Sequence, residues 1–302
     1  MKKYLRDRYS LSVARIALDA GLTCPNRDGT LSSEGCLFCD AKGSGTGAAA
    51  RGLSLAEQVR LGLARTGRRA DRFILYFQSF TNTYAPPDKL EEMWDLCLAD
   101  DNIVGLAVGT RPDCLPDQVL DLLAEYDRSK EVWLELGLQS ASDRTLRRIN
   151  RGHGVEDFAR AARRAMDRGL RVLAHVIIGL PGEGEAEVVS TARFIAGLGL
   201  FGVKVHSLYV SRGTGLERLL ASGLYECLSR EEFVRRTVSF LENIPPATVV
   251  HRLTGDPDPQ TLVAPAWCLE KNTTLEMIRK RLAELNTWQG RNLGAPRNFT
   301  SP

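Results

Sequence analysis

The chain has 302 residues, 43% hydrophobic and 25% charged, so it can bury a full core as one large domain or as a large domain with a small appendage. It has no apolar run near the roughly 20 residues of a membrane span. We therefore expect no membrane association and a cytoplasmic protein whose seven cysteines stay reduced. The formal net charge is +3, but residues 142–171 carry nine arginines against four acids, which fits either RNA binding or solvent-facing helices.

Short β-rich runs alternate with amphipathic helical stretches through the first 200 or so residues. The predicted strands are 12–18, 72–78, 103–110, 132–140, 171–180 and 202–210. The predicted helices between them are 54–65, 87–99, 116–127, 142–150, 155–169 and 185–199. Six βα units in succession predict parallel strands with right-handed crossovers, hence an α/β partial barrel or doubly wound sheet.

The alternation weakens after about residue 225. Helices are predicted there only at 229–244 and 275–289, separated by a proline-rich stretch. We therefore predict a core over residues 1–224 and a C-terminal extension over 225–302.

Polar residues share one face of several predicted strands, near the carboxyl ends where functional groups of such folds gather. They are Tyr76 and Gln78, Glu135 and Gln139, His175 (which shares its face with Gly179), and Lys204 with His206. Buried polar groups without partners cost a few kcal/mol each, so the set predicts a bound polar ligand. For any single residue, mutual hydrogen bonding without a ligand is an equally good interpretation.

Three cysteines, Cys24, Cys36 and Cys39, lie in a loop rich in glycine and turn residues. A structural zinc site needs a fourth ligand, and the other four cysteines are isolated and expected to be buried. The C-x-x-C pair does not open a helix after a strand, as a thioredoxin-like motif would. An iron–sulfur cluster held by three cysteines, with one iron left open, is the remaining interpretation.

The loop resembles that of radical S-adenosylmethionine (radical SAM) enzymes, in which an aromatic such as Phe38 often precedes the third cysteine. Its spacing, C-x11-C-x2-C, is similar to that of a subgroup with lengthened loops, the Elongator-like and YhcC/MnmL-type proteins. Motifs along nearly the whole chain resemble the YhcC/MnmL-type family: "DAGLTCPNRDGT", "GCLFC", "FQSFTNTYAP", "GTRPDCLP", "LELGLQS", "RINRGH", "HVIIGLPGE" and "HRLTGD".

This resemblance implies a partial (β/α)6 TIM-like barrel in which Cys24, Cys36 and Cys39 hold a [4Fe–4S] cluster and S-adenosylmethionine (SAM) chelates the fourth iron. It also implies reductive cleavage of SAM to a 5′-deoxyadenosyl radical that abstracts a substrate hydrogen. Glu135, Lys204 and His206 are then expected to face the substrate as catalytic residues. The residues implied to bind SAM are Gln78 and Thr110 near its methionine part, Gln139, Ser140 and Arg151, His175 near the ribose, and Gly179 near the adenine.

The same resemblance implies modification of a wobble-uridine side chain in tRNA, with an electron donor such as flavodoxin or ferredoxin. Two alternatives stay open: a radical SAM enzyme acting on a small metabolite, and a non-catalytic iron–sulfur or zinc protein that binds RNA. The basic tail, 268–302, has six Lys or Arg against three acids and is too short to be an RNA-binding module.

Overall fold

A computed structural model describes residues 1–43, 45–67 and 69–296. Ser44, Arg68 and residues 297–302, the end of the predicted extension and basic tail, lie outside the described residues. The strands of the main sheet are β1 (Val13–Leu18), β2 (Arg72–Phe77), β3 (Ile103–Thr110), β4 (Glu131–Gln139), β5 (Arg171–Ile178), β6 (Gly202–Ser207) and β8 (Val249–Arg252). A second sheet pairs β7 (Val210–Ser211) with β9 (Leu262–Ala264).

Of the helices that the structure describes, one precedes the first strand, one follows the last, and the others lie in the connections between strands. The helices are α1 (Lys2–Tyr9), α2 (Leu55–Thr66), α3 (Pro87–Leu98), α4 (Asp117–Asp127), α5 (Asp143–Arg148), α6 (Val155–Met166), α7 (Glu185–Leu198), α8 (Gly215–Ala221), α9 (Arg230–Glu242) and α10 (Lys271–Glu284). Their starts follow sequence signals: Ser54 and Ser229 accept backbone N–H bonds at the starts of α2 and α9. No helix among the described residues is both long and apolar enough to span a membrane.

The main sheet keeps the strands in chain order, β1-β2-β3-β4-β5-β6-β8. The pairs β1–β2, β2–β3, β3–β4 and β6–β8 are parallel. Sequential parallel strands joined by helical crossovers are the arrangement of a (β/α) barrel wall, so the predicted α/β fold class is confirmed. The carboxyl ends of these strands are where a site is expected.

One compact unit comprises Met1–Ser33, Ala41–Gly137 and Asp157–Leu173. Its central strands β3 and β4 are buried almost throughout, as expected for parallel strands covered on both faces. At the amino end of β4, the buried Glu131 accepts a hydrogen bond from Tyr4 Oη at 2.6 Å and pairs with Arg8 at 2.6 Å. These bonds fix α1, which the sequence analysis did not predict, to the sheet.

The other unit comprises Glu34–Asp40, Leu138–Glu156 and Ala174–Pro302. One of its apolar clusters joins the end of α5 to β5, β7 and α8 through Ile149, Ile177, Val210 and Leu216. The parallel pairing of β6 with β8 adds a seventh strand where the sequence analysis predicted six. Strand β8 has only four residues, two of them His251 and Arg252, so its local signal is weak.

Candidate functional site

The loop that carries Cys36 and Cys39 is held by backbone bonds on both sides. The Leu37 N–H donates to the Ile149 carbonyl at 3.0 Å, and the Leu37 carbonyl accepts the Leu216 N–H at 2.8 Å. The Cys39 N–H donates to the Cys36 carbonyl at 3.0 Å, which closes a tight backbone turn from Cys36 to Cys39. Helices α5 and α8 therefore determine where this part of the loop lies.

Arg151 reaches the same loop because of how α5 ends. Asn150 has a left-handed backbone (φ 51°), and the Arg151 N–H donates to the Leu146 carbonyl at 2.9 Å, which together form a Schellman cap. Asn150 Nδ2 donates to the Gly35 carbonyl at 2.7 Å. The buried Arg151 then places Nη1 3.5 Å from Cys36 Sγ, so a fixed positive charge lies beside this sulfur.

The carboxyl end of β4 has a strained backbone. Gln139 is a buried non-glycine residue with a φ of 73°, a conformation that usually persists only where the surroundings enforce it and that clusters at functional sites. The next residue, the buried Ser140, donates its hydroxyl to Glu183 Oε1 and accepts the Ser142 N–H at 3.1 Å. Burial raises the pKa of the Glu183 carboxyl.

The carboxyl end of β5 also departs from regular strand geometry. Gly179 has a φ of 106°, which side chains rarely tolerate, and a Cβ there would lie 3.3 Å from Leu228. Its carbonyl accepts the Tyr225 hydroxyl at 3.0 Å. The positive φ accounts for a glycine at this position, and its expected place near the adenine stays a prediction.

Strands β5, β6 and β8 carry basic side chains. The His175 and His206 rings lie 5.4 Å apart between centroids, and Lys204 is 1% exposed. The β6–β8 register pairs Lys204 with Arg252, a residue that the sequence analysis missed together with its strand. The paired positions place both cations on one face of the sheet.

In the unit that contains β2 and β3, Thr110 at the end of β3 is 2.6 Å from the Thr83 hydroxyl, oxygen to oxygen. Gln78 is half-buried just beyond β2. Glu135 is 1% exposed, and Arg15 Nη1 lies 3.8 Å from its Oε1. Cys24 is buried, and its carbonyl accepts the Arg27 and Asp28 N–H groups at 2.8 and 3.1 Å.

The segment after β2 contains buried polar atoms that the sequence analysis did not single out. Ser79 Oγ, Thr81 Oγ1 and Asn82 Oδ1 are buried and have no hydrogen-bond partner among the described residues. Buried polar atoms are normally paired, so these three indicate a polar ligand at the end of β2. The motif "QSFTNTY" marks the segment, but only the structure shows the burial.

The structure brings two pairs of predicted residues into contact, Arg151 with Cys36 and His175 with His206. Ser140 instead contacts Glu183, which the sequence analysis did not single out. All seven cysteines are free thiols. In the described part of the chain, no three His, Cys, Asp or Glu side chains are grouped so that they could hold a metal ion. Ligation by the three predicted cysteines therefore stays a prediction.

We compared the chain with known protein families, with curated proteins and with solved structures. Residues 24–195 match the Radical SAM superfamily, and residues 201–284 match the Radical_SAM C-terminal domain. Protein YhcC of Escherichia coli (strain K12) is 41% identical over 97% of this chain and 94% of its own length. YtqA of Bacillus subtilis (strain 168) is 39% identical over 95% of this chain and 90% of its own length.

A solved structure shows the same fold. The archaeal Methanocaldococcus infernus Elp3 with an N-terminal deletion has a TM-score of 0.73 at 18% identity, covering 92% of this chain and 64% of that one. The family match spans more than half of the chain, and YhcC aligns over nearly the full length of both proteins. The chain therefore belongs to the radical SAM superfamily, as a radical SAM enzyme of the family that includes YhcC and YtqA.

Proposed function

We propose that Cys24, Cys36 and Cys39 of this radical SAM enzyme hold its [4Fe–4S] cluster and that Arg151 binds the SAM carboxylate beside it. The observation that carries this proposal is the 3.5 Å contact between Arg151 Nη1 and Cys36 Sγ. A guanidinium donates two parallel hydrogen bonds to a carboxylate, and its fixed charge also stabilises thiolate ligands. One arginine can therefore contact a cluster ligand and the anionic end of SAM.

The residues present fit a polar cofactor of this kind. Ser79, Thr81 and Asn82 have buried oxygens without partners in the described structure, and such atoms fit the amino and carboxylate groups of the methionine part of SAM. Gln78 and Thr110, at the ends of β2 and β3, belong to the same proposed surface. Three free thiols are the donor set that an iron–sulfur cluster takes.

With both groups bound, the cluster held by Cys24, Cys36 and Cys39 would supply one-electron reduction of SAM, and SAM would supply radical abstraction of a hydrogen atom from the substrate. In our proposal the protein's own groups orient the reactants for this transfer. Gln139, Ser140 and His175 bind polar groups of SAM, and the left-handed Gly179 exposes its backbone to the adenine. Glu135, Lys204 and His206 face the substrate, and they orient it and move protons.

We further propose that the substrate is a wobble-uridine side chain of tRNA. The support is the resemblance of the sequence motifs to the YhcC/MnmL-type and Elongator-like proteins, together with the Elp3-like fold. The basic row formed by Lys204, His206 and Arg252 is compatible with an acidic group on that side chain.

Anaerobic reconstitution tests the cluster assignment. We expect about four irons per chain and formation of 5′-deoxyadenosine from SAM under dithionite. Cys36→Ala should lose both, while Cys227→Ala, which removes a half-buried cysteine outside the predicted set, should keep both. Retention of iron and SAM cleavage by Cys36→Ala would show that the assignment is wrong.

Mass spectrometry of tRNA nucleosides from a deletion strain tests the substrate. We expect a modified wobble uridine to disappear or its precursor to accumulate. The wild-type gene should reverse the change, and the Cys36→Ala gene should not. A nucleoside profile identical to that of the parent strain would contradict the tRNA proposal.

A further inference from the structure

Arg15 and Glu135 form a buried ion pair within the unit that contains β1 to β3 and most of β4. Arg15 Nη1 lies 3.8 Å from Glu135 Oε1, the Glu135 side chain is fully buried, and the Arg15 side chain is largely buried. Burial alone favours the neutral form of a carboxyl, whereas a cation within about 4–6 Å favours the ionised form. The charge of Glu135, which the proposed function uses, therefore depends on the groups beside it.

The two residues lie on the same face of the sheet, although β2 and β3 separate their strands. Paired residues of neighbouring strands share a face. The register leads from Arg15 to Ile74, and from there through β3 to Glu131, which lies four residues before Glu135 and hence on its face. The residues of β3 on this face are small from position 105 onward: Gly105, Ala107 and Gly109. No long side chain of β3 therefore separates the guanidinium from the carboxylate.

Tyr76 on β2 supports the Arg15 guanidinium on this face. The Tyr76 ring centroid is 5.6 Å from Arg15 Cζ, which is a cation–π contact. A Cβ at Gly109 would be 3.8 Å from Tyr76 Cε2, and Gly109 is the residue of β3 that pairs with Glu135. The tyrosine ring therefore lies next to the strand position that pairs with Glu135, and it directs the guanidinium toward this carboxylate.

Two other charged groups close to this pair do not take over the part of Arg15. Glu131 has partners of its own, because it accepts a hydrogen bond from Tyr4 Oη at 2.6 Å and pairs with Arg8 at 2.6 Å. The Met1 amine interacts with Arg15, but burial and then the charge of Arg15 lower the pKa of this amine. A guanidinium stays protonated throughout the physiological pH range, so Arg15 is the fixed positive charge beside the carboxylate.

The distance between Arg15 and Glu135 indicates how the arginine acts. An N–H···O hydrogen bond spans about 2.7–3.2 Å, so a separation of 3.8 Å is an electrostatic contact without a direct hydrogen bond. Arg15 Nη1 is buried and has no hydrogen-bond partner among the described residues. Arg15 therefore contributes a positive charge and no bidentate contact, and a lysine at this position would supply the same charge.

We propose that Arg15 is a positioning residue that keeps Glu135 ionised, so that Glu135 meets the substrate as a carboxylate. The inference rests on the proposed function, because it takes Glu135 to be a group that faces the substrate. A carboxylate only accepts hydrogen bonds and protons, whereas a carboxylic acid also donates one. In a proton transfer at this position, the proton lost by the substrate forms the O–H of Glu135, and Arg15 keeps its own protons throughout.

Infrared spectroscopy of the full-length protein, without added SAM or substrate, tests the charge of Glu135 directly. A protonated carboxyl has a C=O stretching band that a carboxylate lacks. Arg15→Met removes the charge and keeps a long side chain. The difference spectrum between Arg15→Met and Arg15→Met/Glu135→Gln isolates Glu135, because every other carboxyl is common to both variants. We expect the band in this difference, and its absence when the parent or Arg15→Lys is compared with the same protein carrying Glu135→Gln.

Modification of tRNA by the reconstituted enzyme tests the consequence for the reaction. The yield of modified nucleoside per 5′-deoxyadenosine should fall about tenfold or more in Arg15→Met, because a general base contributes roughly 10²–10⁴-fold, and Arg15→Lys should recover most of it. Arg15→Met should cause no further loss in the Glu135→Gln enzyme, because Arg15 acts through Glu135. Arg72→Met is the matched control and should behave like the parent, since this strand arginine donates to Asp71 and Asn102 instead.

Three results would overturn the inference: a protonated Glu135 in the parent, an ionised Glu135 in Arg15→Met, or independent effects of the two substitutions on the yield. If Arg15→Met does not fold, thermal unfolding of the double variant decides. Recovery of the parent melting temperature in Arg15→Met/Glu135→Gln supports the inference, because the uncompensated charge has been removed, and an equally unstable double variant contradicts it. Parent-like modification of tRNA by Glu135→Gln, or no modification by the parent, would instead contradict the proposed function, and the infrared comparison would still decide the charge of Glu135.

Discussion

Arg151 owes its position to two backbone features, the Schellman cap of α5 and the left-handed Asn150. Arg151→Ala should weaken SAM binding roughly 10- to 150-fold, because hydrogen bonds to charged groups contribute about 1.5–3 kcal/mol. The SAM affinity of Arg151→Lys should lie between those of the parent and Arg151→Ala. A lysine ammonium keeps the positive charge but cannot donate the two parallel hydrogen bonds of a guanidinium. Equilibrium dialysis of labelled SAM measures the change. Arg147→Ala, at an exposed position one turn earlier, should bind SAM as the parent does.

Glu183 and Glu187 lie four residues apart and have opposite pKa shifts. Burial raises the pKa of Glu183 above its ordinary 4.5, so the folded state favours its protonated form. Its contribution to stability is fully present below pH 4.5 and is lost as the pH rises through the folded-state pKa. The Gly184 N–H, 2.8 Å from Glu187 Oε2, lowers the pKa of Glu187. The contribution of Glu187 to the stability of the fold is therefore present above pH 4.5 and is lost at lower pH.

Thermal unfolding between about pH 5 and 8 should separate the two residues. The melting temperature of Glu183→Gln should rise relative to the parent as the pH increases, because only the parent must ionise a buried carboxyl. Glu187→Gln should melt below the parent by a constant amount, because Glu187 is ionised throughout this range. Parallel curves for Glu183→Gln and the parent would contradict the assignment of Glu183 as the carboxyl with the raised pKa.

At the scale of elements, the start of α8 sets the position of the cysteine loop. Gly215→Val would push branched methyls into Leu37, and overpacking of this kind costs roughly 1–3 kcal/mol. We expect less iron per chain after reconstitution, with Gly215→Ala less affected because the end of a leucine side chain can shift. Gly197→Ala in α7 has nothing within 4 Å of the added Cβ and should reconstitute fully. Equal iron in all three variants would show that α8 does not position the loop.

The elements show what the sequence could and could not predict. Strands β1 to β6 and helices α2 to α7 lie within a few residues of their predicted bounds, because each has a clear apolar period. Strand β8 has four residues and helix α8 has seven, so neither is long enough to show a recognisable period of apolar residues. The predicted boundary at 224/225 stays a prediction, although β8, beyond it, pairs with β6.

The residues of the candidate site also fall into those that the sequence could predict and those that it could not. Cys36, Arg151 and Gly179 stand in recognisable motifs, so the sequence could single them out. The orphaned oxygens of Ser79, Thr81 and Asn82 could not be found, because nothing local in "QSFTNTY" shows which hydroxyls the fold buries without partners. The importance of Leu37 depends on contacts with Ile149 and Leu216, more than 100 residues away in sequence.

At the scale of the whole molecule, the arginine excess of residues 142–171 is largely neutralised in the fold. Arg164 and Arg168 both pair with Asp117 at 2.8 Å, and Arg168 also pairs with Asp121 at 2.6 Å. Arg171 pairs with Asp127 at 2.7 Å. Lys2 and Lys3, in contrast, are exposed on α1 and form no ion pair within the described structure.

If tRNA is the substrate, as we propose, this difference predicts how the affinity for tRNA depends on salt concentration. A cation that already has an acidic partner releases few counterions when it meets a phosphate, whereas a solvated lysine contributes fully. The double variant Lys2→Ala/Lys3→Ala should reduce the slope of log K against log salt by roughly 1–2 units, about 0.7–0.9 for each phosphate that a lysine no longer neutralises. Arg164→Ala/Arg168→Ala should leave the slope unchanged. Filter binding of unmodified tRNA across a salt series measures both slopes. If the arginine variant alone flattened the slope, the ion pairs on α4 and α6 would have to open when RNA binds.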